Sequence, residues 1–261
     1  MESKFIKVGE KVLFKPSTKG LDYELEAGTV YNINIDRYTG EISFEIAPKL
    51  DLPSKVYSTE ADQQFIKKVL TQYKRVESGV LGVMLSGLKG SGKTVTVKQI
   101  ANRSNLPIIL IDKGFSPYQF KNLFSKLGTV EVCFIFDEVD KLGEDYDDSF
   151  LLQVLDGANT TGKKLMLFTC NDESEINDCL IDRCSRIRYW KEFDEMSASM
   201  IEAILSDRLK DKDKIKPMLD FIQNNFGVVS FDNVMSFIKE VNDYPEETIE
   251  SLFEDMNLSR K

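Results

Sequence analysis

The chain has 261 residues, 42% of them hydrophobic and 30% charged, a balance that suits a folded soluble protein and excludes a disordered, collagenous or disulfide-stapled one. It contains no histidine, which removes Ser-His-Asp and Cys-His catalysis, His-ligated zinc and imidazole acid–base chemistry together. A net charge of −9 is the wrong sign for a protein that neutralises nucleic-acid phosphates over a broad basic surface.

From Phe5 to about Ile46 the pattern is strand-like, ending in a hairpin in which Thr29–Ile35 turns through Asp36–Gly40 into Glu41–Ile46. So short a unit is marginal alone, which predicts that it docks on the rest of the chain or on a neighbouring subunit. Residues 1–47 are therefore read as a small β domain, an adaptor, and residues 48–55, punctuated by Pro48 and Pro53, as a linker. Residues 56–193 alternate strand and helix, the rhythm of a parallel sheet covered on both faces. Strands are expected over Val80–Leu85, Pro107–Ile111, Val132–Phe136, Leu165–Thr169 and Ser185–Tyr189. Helices are expected over Lys93–Ser104, Pro117–Leu127, Asp147–Leu155 and Ser174–Ile181. Residues 194–261 show apolar residues only at helical spacing and predict a helical lid. The fold class is thus α/β, a five-stranded parallel sheet with a helical lid and an N-terminal β unit. No apolar run reaches the ~20 residues of a membrane helix, and a cytoplasmic chain is expected.

Gly87-Leu88-Lys89-Gly90-Ser91-Gly92-Lys93-Thr94 matches a phosphate-binding loop between a buried strand and a helix. Its glycines let backbone N–H groups approach phosphate oxygens, Lys93 reaches the β and γ phosphates, and Thr94 offers a hydroxyl to Mg²⁺. Read as bare pattern, the same stretch is a Gly-rich turn before a helix. Val132–Phe136 ends in Asp137-Glu138, a pair that suits a metal ligand followed by a base, or that merely closes a strand in an acidic protein. Leu165–Thr169 leads to Asn171, whose amide can bond a γ phosphate or an attacking water, and which in isolation is a turn former. Arg183 and Arg186 bracket the start of the last strand, placed to neutralise charge on a γ phosphate or to make surface ion pairs. Cys133 and Cys170 lie in apolar runs and read as buried thiols; a thiolate site with Cys179 and Cys184 lacks any CxxC pair.

Taken in this order, these motifs resemble an AAA ATPase module over roughly Lys55–Leu258. The resemblance implies that Gly87–Thr94 is the Walker A loop, Asp137 and Glu138 the Walker B pair, Asn171 sensor 1, and Arg183 with Arg186 the arginine fingers of a homo-oligomeric ring, a hexamer or heptamer. Leu152–Gly157 resembles the family's helix before sensor 1. Gly114–Phe124 and the stretches Val229–Asn233 and Asn242–Glu247 are similar to the branch that moves the folded Rieske protein in mitochondria, without its membrane segment or its N-terminal domain. Gly114-Phe115 reverses the order of the family's pore loop. The implied function is Mg²⁺-dependent ATP hydrolysis coupled to remodelling or translocating a protein or protein assembly. Two alternatives stand beside it: a DNA-replication or clamp-loader-like ATPase, and a nucleotide-gated scaffold with slow turnover. The expected partners are a protein client rather than nucleic acid, and no membrane.

Overall fold

The computed structural model describes residues 4–8, 11–15, 24–36, 41–111, 117–141, 155, 162–176 and 187–261. Four N-terminal strands, β1 (Lys4–Val8), β2 (Lys11–Lys15), β3 (Val30–Ile35) and β4 (Ile42–Ile46), precede helix α1 (Glu60–Arg75). The α/β core follows as β5 (Gly79–Gly87), α2 (Lys93–Ser104), β6 (Ile108–Ile111), α3 (Pro117–Leu127), β7 (Val132–Phe136), β8 (Lys163–Thr169) and β9 (Ile187–Phe193). Four helices close the chain: α4 (Ala198–Arg208), α5 (Ile215–Asn225), α6 (Phe231–Asp243) and α7 (Ile249–Asp255).

All the described strands belong to one sheet, ordered β1-β2-β4-β3-β6-β7-β8-β5-β9. From β6 to β9 every neighbouring pair is parallel. The N-terminal strands extend this sheet, because β3 runs parallel to β6 with Val30, Tyr31 and Asn32 opposite Ile108, Ile109 and Leu110. The expected boundary at residue 47 thus falls within continuous hydrogen bonding. The unit docks because its apolar face has no cover of its own: Phe5, Tyr31, Ile42 and Phe44 are buried in one cluster with Phe120, Leu123 and Phe124 of α3.

The strands of the core alternate between two buried faces, as their period-two geometry requires. Leu81, Val83, Leu85, Leu165 and Leu167 meet Ile66, Val69 and Tyr73 of α1 and Val97 and Ile100 of α2. Met84, Phe134, Phe136, Met166 and Phe168 face α3. On that face the fully buried Lys164 donates from Nζ to Gly128 O at 2.9 Å, just past the end of α3, and burial pushes its ammonium pKa down to about 8.

The expected limits of β7, α2 and α3 coincide with those observed. Helix α1 was not expected. It starts at a capping box in which Thr59 accepts from Asp62 N–H and the Asp62 carboxylate accepts from Thr59 N–H. Strand β9, Ile187–Phe193, runs past the expected end at Tyr189, while the expected start at Ser185 lies outside the described residues. No helix starts at Ser174, because Glu173–Glu175 makes only a 3-10 turn and Ile176 is already extended. The helix expected over 147–155 lies outside the described residues except for the buried Leu155. In the lid, Ser197, Ser230 and Thr248 cap α4, α6 and α7 through side-chain oxygens, and the four helices share a separate core around Phe226, Phe237 and Phe253. Among the described residues no helix is long and apolar enough to cross a membrane.

Candidate active site

The site lies at the C-terminal ends of β5, β7 and β8, where an open parallel sheet leaves its strand tips free. Strand β5 delivers the chain into Gly87–Gly92, and Gly87, Gly90 and Gly92 all take positive φ, at +118°, +71° and +103°. At Gly87 the glycine is also forced by backbone contact, and Gly90 is closely approached by a side chain. A Cβ on Gly87 would lie 2.2 Å from Phe193 O on β9, and one on Gly90 would lie 2.9 Å from the Asp232 carboxylate of the lid. Phe231 N–H at the start of α6 also donates to Gly90 O at 2.9 Å, so the lid rests on the loop. Lys93 opens α2 with only 5% of its surface exposed, and its Nζ donates to Gly87 O and Leu88 O at 2.5 and 2.6 Å. Burial lowers its pKa, opposed by the nearby carboxylates of Asp140, Asp137 and Glu138. Leu88, Lys89 and Thr94 are exposed on the loop and at the helix start. Ser91 Oγ is buried and has no hydrogen-bond partner among the described residues.

Register brings the second strand tip to the third. Phe136 is opposite Phe168 on the parallel pair β7 and β8, so the next residues, Asp137 and Thr169, emerge together. Thr169 Oγ1 donates to Asp137 Oδ1 at 2.5 Å and accepts from Glu138 N–H at 2.8 Å. Glu138 sits at φ +52°, an uncommon conformation for a side-chain-bearing residue and one that turns the chain sharply as it leaves the strand. Its Oε1 accepts from Asn171 Nδ2 at 3.0 Å and pairs with Lys141 Nζ at 2.6 Å. Asn171 N–H donates in turn to Asp140 Oδ1 at 3.0 Å, tying the end of β8 to the turn after β7. The predicted Lys93, Asp137, Glu138 and Asn171 are therefore brought to one place, whereas Arg183 and Arg186 lie outside the described residues. Thr169, Asp140 and Lys141 escaped the sequence reading. A threonine ending the buried run Leu165–Phe168 was the one available signal for the first.

Beside the loop a cavity of about 210 Å³ is walled by the segment leading into α1 (Tyr57), by α2 (Val95, Gln99) and by the lid (Met200, Phe231). Among the described residues no cluster of three or more acidic or cysteine side chains gathers around a metal.

Residues 83–192 match the model of the family described as ATPase family associated with various cellular activities, AAA. In that segment the chain is similar to the AAA family. The matched segment takes in β5 from Val83 onward, the loop, all three strand tips and β9 apart from its last residue. A 26S proteasome regulatory subunit 7 homolog of Schizosaccharomyces pombe is 31% identical, over 38% of this chain and 28% of that protein. A Plasmodium falciparum protein named as a cell division cycle ATPase is 29% identical, over 38% of this chain and 10% of that protein. The chain thus spans less than a third of either relative's length.

Proposed function

We propose that this chain binds ATP with Mg²⁺ and hydrolyses it, acting in a homo-oligomeric ring that remodels or moves a protein or protein assembly. The observation that carries this reading is the buried Lys93 ammonium at the end of the glycine loop, set among the Asp137, Glu138 and Asp140 carboxylates, with Asn171 bonded to Glu138. The N–H groups of Gly90, Ser91 and Gly92 cradle the phosphates, and the orphaned Ser91 hydroxyl gains a phosphate or ribose acceptor. Lys93 exchanges the Gly87 and Leu88 carbonyls for β and γ phosphate oxygens. Thr94 and Asp137 would hold a Mg²⁺ ion, which would supply charge neutralisation to the phosphates. Thr169 keeps one Asp137 oxygen occupied and so presents the other. Glu138 takes the proton of the attacking water, and Asn171 holds that carboxylate in place. Arg183 and Arg186 serve a neighbour's nucleotide. Subunits carrying Arg183→Ala and Arg186→Ala, mixed under exchange with Glu138→Gln subunits, then regain activity that neither set has alone.

Lys93→Ala is expected to lose nucleotide binding and turnover together. Glu138→Gln is expected to retain ATP while phosphate release falls by ~10²–10⁴. Turnover of Glu138→Gln at the wild-type rate would reject the base assignment.

A second reading, a nucleotide-gated scaffold with slow turnover, draws on the ion pair between Glu138 and Lys141. That pair must open before Glu138 can accept a proton. ATP-dependent assembly with negligible phosphate release identifies it.

A further inference from the structure

We propose that Gln99 reads the nucleobase, donating from its Nε2 to a ring nitrogen of a purine in the cavity beside the phosphate loop. The proposal rests on the nucleotide reading above and adds to it a residue that selects the base. Gly92, Val95, Thr96 and Gln99 follow one another at helical spacing on the face of α2 that lines the cavity. Seven residues at 1.5 Å rise separate Gly92 from Gln99, so Gln99 lies ~10 Å along the helix from the phosphate end, on the side where a nucleoside must extend.

Gln99 as a residue is only 3% exposed, and the orientation of its amide is determined by its neighbours. Arg103, one turn further along α2, donates from one terminal nitrogen to Gln99 Oε1 at 3.0 Å and from the other to Gln63 Oε1 at 2.8 Å. A guanidinium has donors and no acceptor, so both amide oxygens must face it, and neither amide can flip without placing N–H against N–H. Gln63 Nε2 then donates to Gln99 Oε1 at 3.2 Å and to Ser58 Oγ, just before α1, at 2.8 Å. Gln99 Oε1 is thereby filled twice, and its Nε2 is turned away from the fork. Among the described residues nothing accepts from that Nε2. A donor without a protein acceptor, on a mostly buried residue that lines a cavity, is matched by an acceptor on the ligand. The ring nitrogens of a purine are such acceptors, and a ring CH in the same place is not.

The test uses the full chain and ADP, which binds without turning over, together with its 1-deaza, 3-deaza and 7-deaza analogues. Each analogue replaces one ring nitrogen by CH. Wild-type protein is expected to bind one of the three analogues about tenfold more weakly than ADP, since that analogue leaves the Gln99 donor unpaired. Gln99→Leu should bind ADP more weakly by a similar factor and bind that analogue and ADP alike. Arg103→Ala, which frees the amide to rotate, should show a smaller discrimination in the same direction. Equal wild-type affinity for ADP and all three analogues overturns the assignment of Gln99 without relying on any variant's fold. Discrimination that persists in Gln99→Leu overturns it as well. Wild-type protein that binds neither ADP nor ATP sinks the nucleotide reading itself, an outcome distinct from the other two.

Discussion

Replacing Gly87 by alanine tests how the edge of the sheet holds the phosphate loop. The residue is at φ +118°, and its Cβ would stand 2.2 Å from Phe193 O and 2.9 Å from the Phe193 carbonyl carbon. Side-chain carbons essentially never approach closer than 3.0 Å, so β9 must move about 0.8 Å from β5 at this end, the difference between 3.0 and 2.2 Å. The backbone strain of a substituted residue in this region costs ~1–3 kcal/mol. Loss of a ladder hydrogen bond to the displaced strand adds ~0.5–1.5 kcal/mol. Gly79→Ala, at the other end of the same strand, is the control: its φ is +93° and nothing lies within 4 Å of its Cβ, so only the strain term applies. Urea unfolding followed by tryptophan emission suits the comparison, because the single tryptophan, Trp190, lies on β9 opposite Met84 of β5. Gly87→Ala is expected to unfold at lower urea than Gly79→Ala, with a stability loss larger by ~1 kcal/mol. It should also bind nucleotide more weakly, since Gly87 O holds Lys93 Nζ. Equal losses for the two variants would refute the close approach of the strands as the reason for a glycine at position 87.

Asn171→Leu removes a hydrogen bond to a carboxylate and is expected to lower turnover ~10–100-fold while leaving ATP affinity nearly unchanged, as measured by phosphate release and nucleotide titration. Phe44→Ala, in the fourth strand, should destabilise the nucleotide-binding core itself by ~3–5 kcal/mol, because its ring is buried against Phe5 and Tyr31 under α3; a first melting step confined to residues 1–47 would contradict this. Lys164 has a folded-state pKa of about 8, below its unfolded value, so the unfolded chain binds more protons between about pH 8 and 10.5 and this residue's contribution to stability rises with pH across that window. Lys164→Met should lack that rise; parallel stability curves for the two proteins from pH 7 to 10 would show the group to be unperturbed.

Local sequence determined the punctuation of this protein. The run Val132–Phe136 stops at Asp137 because charges cannot continue a strand buried on both faces, and the glycine loop ends where Lys93 begins a helix, so β7 and α2 were legible to the residue. The amphipathic α1 was not, because its buried Ile66, Val69 and Tyr73 are outnumbered by polar residues; the Thr59/Asp62 box was its one clear local mark. Candidates for the site were legible for the same reason, as polar residues placed where apolar strands end. Their partners were not. Glu138, Thr169 and Asn171 are more than thirty positions apart along the chain from one strand tip to the next, and only the register of β7 on β8 makes them neighbours. The placement of β3 against β6 was likewise decided in three dimensions, where an uncovered apolar face and an open strand edge are satisfied by the same contact. The orientation of the Gln99 amide depends on a guanidinium one helical turn away and on a glutamine of another helix, a geometry that no pattern of residue types specifies by itself.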